Sequence, residues 1–305
     1  EENIYREAVS VIHECKIDLI LGWGNLLLEE SIFKEAKRMN SKICFYLVNP
    51  SYKGRKTYIL NNADITITDS EATKLLYKEE LNSKCIVMPK FLENSSTLEV
   101  FNSNTQGNNK CLFVNPSIEK GLEAFMLLSQ YFIENNIQIN LICIDSKNTL
   151  KRDLEYLGYE PNKLPPNIKV LSGIERGDSL FREINILLLL SIWHESGSRL
   201  ILESYSRGIP VIAFNTGGNL EFMNKFKQDI FPKPNTYKDQ NKRLRIQNWD
   251  PKEMANRILF LMRNREYFIS YSNEIYNKDL ISQQKDRCKE ALNQLLNSIK
   301  IKDKK

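Results

Sequence analysis

Histidine is nearly absent from these 305 residues: only His13 and His194 are present, no Asp-x-Asp pair occurs, and the six cysteines show no Cys-x-x-Cys spacing. Structural zinc sites need closely spaced thiolates and imidazoles, so neither a metal-held fold nor a resident metal is expected. Cys44, Cys85, Cys111 and Cys143 instead sit singly within apolar, strand-like runs, as buried reduced thiols do. No apolar segment approaches the ~20 residues of a membrane-spanning helix. Charge is only mildly unbalanced, at +5, and no basic–aromatic stripe accompanies it, which argues against a nucleic-acid partner. A cytoplasmic protein is the expectation.

What the chain does have is alternation. A helix near Tyr5 to Glu14 is followed by strand Asp18 to Leu21, helix Glu29 to Met39, strands Lys42 to Val48 and Ile65 to Thr68, helix Glu71 to Leu81 and strand Lys84 to Met88. Residues 93–109 are rich in Asn and Ser without periodicity, as a linker would be. A second series follows: strand Lys110 to Val114, helix Gly121 to Glu134, strands Gln138 to Ile144 and Ile168 to Leu171, then Ile184 to Leu190 and Pro210 to Phe214 around a helix. The pattern predicts an α/β protein with two Rossmann-like, doubly wound domains, over residues 1–92 and 110–279, with a C-terminal helix and basic tail over 280–305.

The densest chemistry lies between the last two strands. Glu195 and Glu203 bracket seven residues, beginning with the Ser196-Gly197-Ser198 turn, and the helix from about Arg199 to Arg207 is expected to start at a Ser198 cap and stop at Gly208. In an open parallel sheet ligands sit beyond the carboxyl ends of the strands, where such a loop and helix start would lie. Two carboxylates flanking a small polar volume suit a hydroxyl-rich ligand. Taken alone, Glu195 could merely complement a helix dipole, and Glu203 could pair with Arg207 at i,i+4.

Trp193-His194-Glu195-Ser196-Gly197-Ser198-Arg199, Leu200-Ile201-Leu202-Glu203-Ser204, Gly208-Ile209-Pro210-Val211 and Gly217-Gly218-Asn219-Leu220-Glu221 resemble the donor-site signature of family 4 retaining glycosyltransferases of the GT-B fold. Further landmarks agree in order: Ala63-Asp64-Ile65-Thr66-Ile67-Thr68-Asp69-Ser70, Lys84 to Pro89, Val114-Asn115-Pro116 with Lys120-Gly121, and Pro165 to Leu171. The resemblance implies transfer of a sugar from a nucleotide-diphosphate sugar, with retention and without metal or other cofactor. By the same implication Glu195 contacts the donor sugar, Glu203 the ribose, and Lys120 neutralises the diphosphate. Asn115, Ser196, Gly197, Ser198, Gly217 and Gly218 would complete the donor site, and Gly173 and Ile174, after the strand ending at Leu171, would meet the base.

Departures from the family pattern are local. A glycine and an arginine usually precede the lysine, whereas Val114-Asn115-Pro116-Ser117-Ile118-Glu119 stands here, so Arg199 becomes a candidate replacement for the missing cation. A histidine common after a first-domain strand is replaced by Asn49-Pro50 following Phe45-Tyr46-Leu47-Val48. The chain enters at the helix before Asp18, so the first domain reads as incomplete: either the sequence is part of a longer polypeptide, the reading favoured because a sheet without its central strands would expose apolar edges, or the domain is natively abridged.

The acceptor is open: a glycan, a lipid-linked molecule or a small molecule. Lys225, Lys227, Lys233, Lys238, Lys242, Arg243 and Arg245, with the lysines of the tail, read first as a solvated loop and terminus. The sharper reading is peripheral contact with anionic lipid on the inner face of a membrane. A non-catalytic nucleotide-sugar-binding module and a GT-B sugar-nucleotide epimerase remain as alternative classes.

Overall fold

The computed structural model describes residues 2–24, 26–55, 57–92, 109–172, 181–276 and 278–300. The chain divides into two compact units. The first holds the residues up to Phe91, the short stretch Glu195–Gly197 and the chain from Ser282 onward; the second holds Leu92–His194 and Ser198–Ile281.

The first unit contains α1 (Glu2–Glu14), β1 (Leu19–Gly22), α2 (Leu27–Arg38), β2 (Lys42–Tyr46), α3 (Tyr58–Asn62), β3 (Ile65–Thr68), α4 (Glu71–Leu76) and β4 (Lys84–Val87). Its four strands are parallel in the order β1-β2-β3-β4. Two short helices are capped by hydroxyls: Leu60 N–H donates to Thr57 Oγ1 and Thr73 N–H to Ser70 Oγ, each satisfying a backbone donor that the helix leaves orphaned. One face of the sheet buries Ile43, Phe45 and Leu47 with Phe33 of α2. The other buries Cys44, Ile65, Ile67 and Ile86 against Ala291 and Leu295. Those last two residues belong to the final helix, so its C-terminal part joins the first unit. The Lys42 ammonium donates to the Ser298 and Ile299 carbonyls at 3.4 and 2.7 Å, placing a cation on the negative end of that helix.

The second unit runs β5 (Lys110–Val114), α5 (Leu122–Glu134), β6 (Asn140–Asp145), α6 (Leu150–Leu157), β7 (Ile168–Ser172), β8 (Ile186–Leu189), α7 (Arg199–Tyr205), β9 (Val211–Phe214), α8 (Asn219–Phe222) and β10 (Ile230–Phe231). The hairpin β11 (Asn235–Lys238) and β12 (Leu244–Gln247), then α9 (Lys252–Arg263) and α10 (Arg265–Ile275), complete it, and α11 (Lys278–Lys300) is the final helix. Strands β5 to β10 form one parallel sheet in the order β10-β9-β8-β5-β6-β7. Leu112, Ile142, Leu187, Leu188, Val211 and Ile212 are all buried, as central parallel strands covered on both faces require.

That strand order reverses at the β5/β8 boundary. The crossover from β5 leads to β6 on one side, whereas the chain returns from β7 to β8 on the other, opening a crevice at the carboxyl ends of β5 and β8. The two loops leaving these ends are the ones that carry Lys120 and Glu195.

Three expectations need correction. Ser198 precedes α7 but makes no side-chain cap, and α7 stops at Tyr205, short of Arg207. The basic stretch after the double glycine is solvated at Lys225, Lys227, Lys233, Lys238 and Lys242, as expected, but it is not one loop, since it includes β10 and the β11–β12 hairpin. Within it, Arg245 makes two hydrogen bonds to the Glu123 carboxylate at 2.9 and 3.2 Å, and the Arg243 guanidinium lies over the Tyr156 ring at 4.3 Å. Both arginines are thereby committed inside the unit.

Candidate functional site

The loop after β5 begins with Asn115 in the left-handed region, at φ 58°, and turns into α5 through Gly121, at φ 89°. A Cβ on Gly121 would stand 1.8 Å from the Leu190 carbonyl oxygen, so only glycine lets the loop lie against the end of β8. The Ile192 N–H donates to the Glu119 carbonyl at 3.0 Å, tying the residue before Lys120 to the loop that leads to Glu195. Lys120 is therefore fixed at the switch point by its immediate neighbours, although its own side chain is long.

A second tie joins the loops after β8 and β9. The Ser198 N–H donates to Asn219 Oδ1 at 3.1 Å, across from the Gly217-Gly218 turn. It does not stand in for a side-chain cap: the Ile201 N–H, which a Ser198 cap could have received, donates to the Ser198 main-chain carbonyl at 3.2 Å. Gly217 adopts φ 53°, which folds that turn back toward α8. Loops from three adjacent strands, β5, β8 and β9, are thus stitched together by backbone contacts and one asparagine.

Glu203 lies in the second turn of α7, and Arg199 Nε donates to its Oε1 at 2.7 Å. The i,i+4 partner of the Glu203 carboxylate is thus Arg199. Arg207 instead donates to the Glu203 main-chain carbonyl at 2.7 Å and lies over the Phe181 ring at 4.6 Å.

Glu195, Ser196 and Gly197 belong to the first unit, and Asp69 shows why. Asp69 follows β3, is only 1% exposed, and receives hydrogen bonds from the Tyr46 hydroxyl and, at 2.8 Å, from Ser196 Oγ. The Lys90 ammonium completes the cluster 2.6 Å from Asp69 Oδ2 and donates to the Gly197 carbonyl at 2.8 Å. Burial and the neighbouring carboxylate push the Tyr46 hydroxyl upward, so it stays a donor. Gly197, at φ 126°, supplies the backbone freedom this turn needs. In the sequence Asp69-Ser70 stands only as a family landmark; the signal it offers is an aspartate directly after the strand Ile65–Thr68.

The remaining sequence candidates, Gly173 and Ile174, lie outside the described residues, as does the linker apart from Asn109. Among the described residues no three His, Cys, Asp or Glu side chains converge as a metal site would require. No helix is long and apolar enough to cross a membrane.

The family model for glycosyl transferases group 1 matches residues 101–277, more than half of the chain. This chain belongs to that family. No curated protein sequence matches this group 1 glycosyltransferase. Among solved structures it is similar to Anabaena HepE in complex with UDP-glucose, with 16% identity, a TM-score of 0.66, and coverage of 96% of this chain and 82% of HepE. It is also similar to a TarM variant from S. aureus in complex with fondaparinux, alpha-GlcNAc-glycerol and UDP (13% identity, TM-score 0.67, 97% of this chain, 59% of that one). A third is the catalytic domain of Arabidopsis thaliana starch synthase IV bound to ADP and acarbose (13%, 0.58, 95% and 76%). These glycosyltransferases share the GT-B fold, and this group 1 enzyme has the same parallel α/β architecture.

Proposed function

We propose that this group 1 glycosyltransferase is a family 4, retaining enzyme that moves a sugar from a nucleotide-diphosphate sugar to a hydroxyl acceptor. The observation that carries the reading is the stitched switch point of the second unit, where the Lys120 loop abuts the end of β8 and Glu203 follows one helix turn beyond. A cation at such a crevice, with acceptor groups close by in the chain, suits a diphosphate joined to a ribose and a sugar. HepE and TarM are known in complexes with UDP or a UDP-sugar, and that chemistry fits the same arrangement.

In this reading Glu203 accepts hydrogen bonds from the ribose hydroxyls and is oriented for it by Arg199. Glu195 accepts from hydroxyls of the donor sugar, and its loop is held by the bonds of Ser196 and Gly197 to Asp69 and Lys90. Asn115, Ser198, Gly217 and Gly218 line the donor around these groups. The bond from the anomeric carbon to the diphosphate oxygen breaks, and its electron pair leaves with the diphosphate. The acceptor oxygen attacks the same face and passes its proton to the departing phosphate oxygen. Lys120 compensates the charge that develops there, which is where a fixed cation lowers the barrier most. Such a front-face route needs no enzymic nucleophile and no metal. The acceptor is a glycan, a lipid-linked molecule or a small molecule.

The test is ligand-dependent stability followed by turnover. UDP, GDP and ADP are added at millimolar concentration and the melting temperature is recorded; one of them raises it by mass action. Hydrolysis of the matching nucleotide-sugar, followed by NMR, then releases the sugar with its anomeric configuration retained. No shift with any diphosphate rejects the donor site, inverted product rejects retention, and binding without turnover assigns the chain to the non-catalytic class.

A further inference from the structure

The loop that carries Lys120 is laced along one side to the segment that follows β6. Ser146 Oγ donates to Asn115 Oδ1, Thr149 Oγ1 donates to the Pro116 carbonyl at 3.3 Å, and the Ile118 N–H donates to Asp153 Oδ2 at 3.3 Å. That segment is held in its turn: both oxygens of Asp145 accept backbone N–H bonds at 3.0 Å, from Thr149 and Leu150, at the start of α6. Asp153 sits one turn further along that helix and is only 1% exposed.

A carboxylate in this position is costly. The face of α6 that buries Leu150 and Leu154 would be packed as well by an apolar residue, and burying a charge incurs a large desolvation penalty unless it is paired and hydrogen-bonded. Here the pairing is extensive. Arg152 Nε donates to Asp153 Oδ1 at 2.8 Å, and Arg243 Nη1, from the β11–β12 hairpin, lies 3.5 Å from the same oxygen. The other oxygen is left to the Ile118 N–H. Downstream of Ile118 the loop is held by the Lys120 N–H to Ser117 Oγ at 3.3 Å, the Gly121 N–H to the Ile118 carbonyl at 3.0 Å and the Ile192 N–H to the Glu119 carbonyl at 3.0 Å, while the Ile118 N–H ties it to α6. Ile118 is itself fully buried, so its N–H has no water to turn to if Asp153 is lost.

We propose that Asp153 is a positioning residue for Lys120: by holding the Ile118 N–H it fixes the turn that aims the lysine at the diphosphate of the donor. The inference rests on the reading of Lys120 as the diphosphate ligand. Arg152 and Arg243 serve the same end at one remove, since they engage Asp153 Oδ1 and leave Oδ2 facing the Ile118 N–H.

The experiment is a double-mutant cycle read on the phosphate itself. UDP and UMP affinities are measured by calorimetry for the wild type, Lys120→Ala, Asp153→Ala and the double variant, with GDP/GMP and ADP/AMP substituted if UDP does not bind. Asp153→Ala is expected to weaken diphosphate binding about tenfold while monophosphate binding changes less than about twofold, and to add nothing in the Lys120→Ala background. Equal weakening of di- and monophosphate marks a merely structural role and overturns the proposal, as does a loss that adds in full to that of Lys120→Ala. If Asp153→Ala does not fold, Asp153→Asn carries the same test, with a smaller loss in the same direction expected. A Lys120→Ala variant that keeps the wild-type ratio of the two affinities rejects the lysine's role. That outcome is distinct from one in which Lys120 matters and Asp153 does not.

Discussion

Arg199 and Glu203 stand one turn apart on α7, with Arg199 Nε 2.7 Å from Glu203 Oε1. The arginine is 68% exposed and the glutamate 21%, so the pair lies at the surface edge of the helix, where solvent weakens it. Its value is orientation: the carboxylate is held in one rotamer before any ligand arrives. Arg199→Ala should therefore change stability by less than ~0.5 kcal/mol in urea unfolding. Glu203→Ala should weaken nucleoside-diphosphate binding about tenfold, ~1.4 kcal/mol, by calorimetry. Unchanged affinity would remove Glu203 from the ribose.

Glu195→Ala is expected to lower kcat/KM for donor hydrolysis about 100-fold, ~2.7 kcal/mol, while the melting temperature stays close to that of the wild type. Wild-type turnover in this variant would take Glu195 out of the reaction.

The Asp69 cluster predicts a stability effect in the first unit. Asp69→Ala leaves the Tyr46 hydroxyl, the Lys90 ammonium and Ser196 Oγ without their shared acceptor, and should cost roughly 3 kcal/mol in chemical denaturation. Ser196→Ala removes only one donor and should cost ~1 kcal/mol. Equal costs for the two variants would show that the carboxylate is not the centre of the cluster.

Gly121→Ala meets two obstacles together, a Cβ 1.8 Å from the Leu190 oxygen and a backbone φ of 89°. A loss of at least ~2 kcal/mol is expected, because backbone and not a flexible side chain must move. Gly54, at φ 73° with no atom within 4 Å of an added Cβ, supplies the control: its alanine variant bears the strain alone and should cost less.

Burial is the main influence on the core thiols, with the Asp145 carboxylate adding to it at Cys143. Burial pushes the Cys44 thiol from its ordinary 9.0 up to about 12, and the Cys111 and Cys143 thiols are also raised by burial. A group raised in the folded state contributes stability that is complete below its unfolded value and is lost as pH climbs through the folded one. Stability should therefore fall above about pH 9, with a slope of at most ~1.4 kcal/mol per pH unit for each thiol. Replacing the three cysteines by alanine should flatten that slope in urea unfolding. In the native protein at pH 8 a thiol reagent should modify exposed Cys15 and spare these three.

Much of the second unit was legible in the sequence because its signals are local. The apolar runs of β5, β8 and β9, the glycine entering α5 and the eight-step spacing of Glu195 and Glu203 need only neighbouring residues to be read. Helix α6 was missed because Leu150–Leu157 is short and charged, and its apolar face is only Leu150 and Leu154. The β11–β12 hairpin was read as a basic loop because its arginines find their acids, Glu123 and Asp153, far along the chain. A serine before a helix is ordinarily a side-chain cap, but at Ser198 the Ile201 N–H turns to the main-chain carbonyl instead of the hydroxyl, a choice residue type does not reveal.

The sequence by itself determined the α/β class, the parallel crossovers and which residues bear acceptor or cationic groups, since these follow from periodicity and residue chemistry. Only the tertiary structure decided that β5 pairs with β8, which brings the Lys120 loop against Leu190 and Ile192, and that Asp69 rather than any neighbour in the chain holds Ser196. Strand order and buried carboxylate partners are set by contacts between residues tens of positions apart, where local propensity carries no information and the satisfaction of buried hydrogen bonds chooses the arrangement.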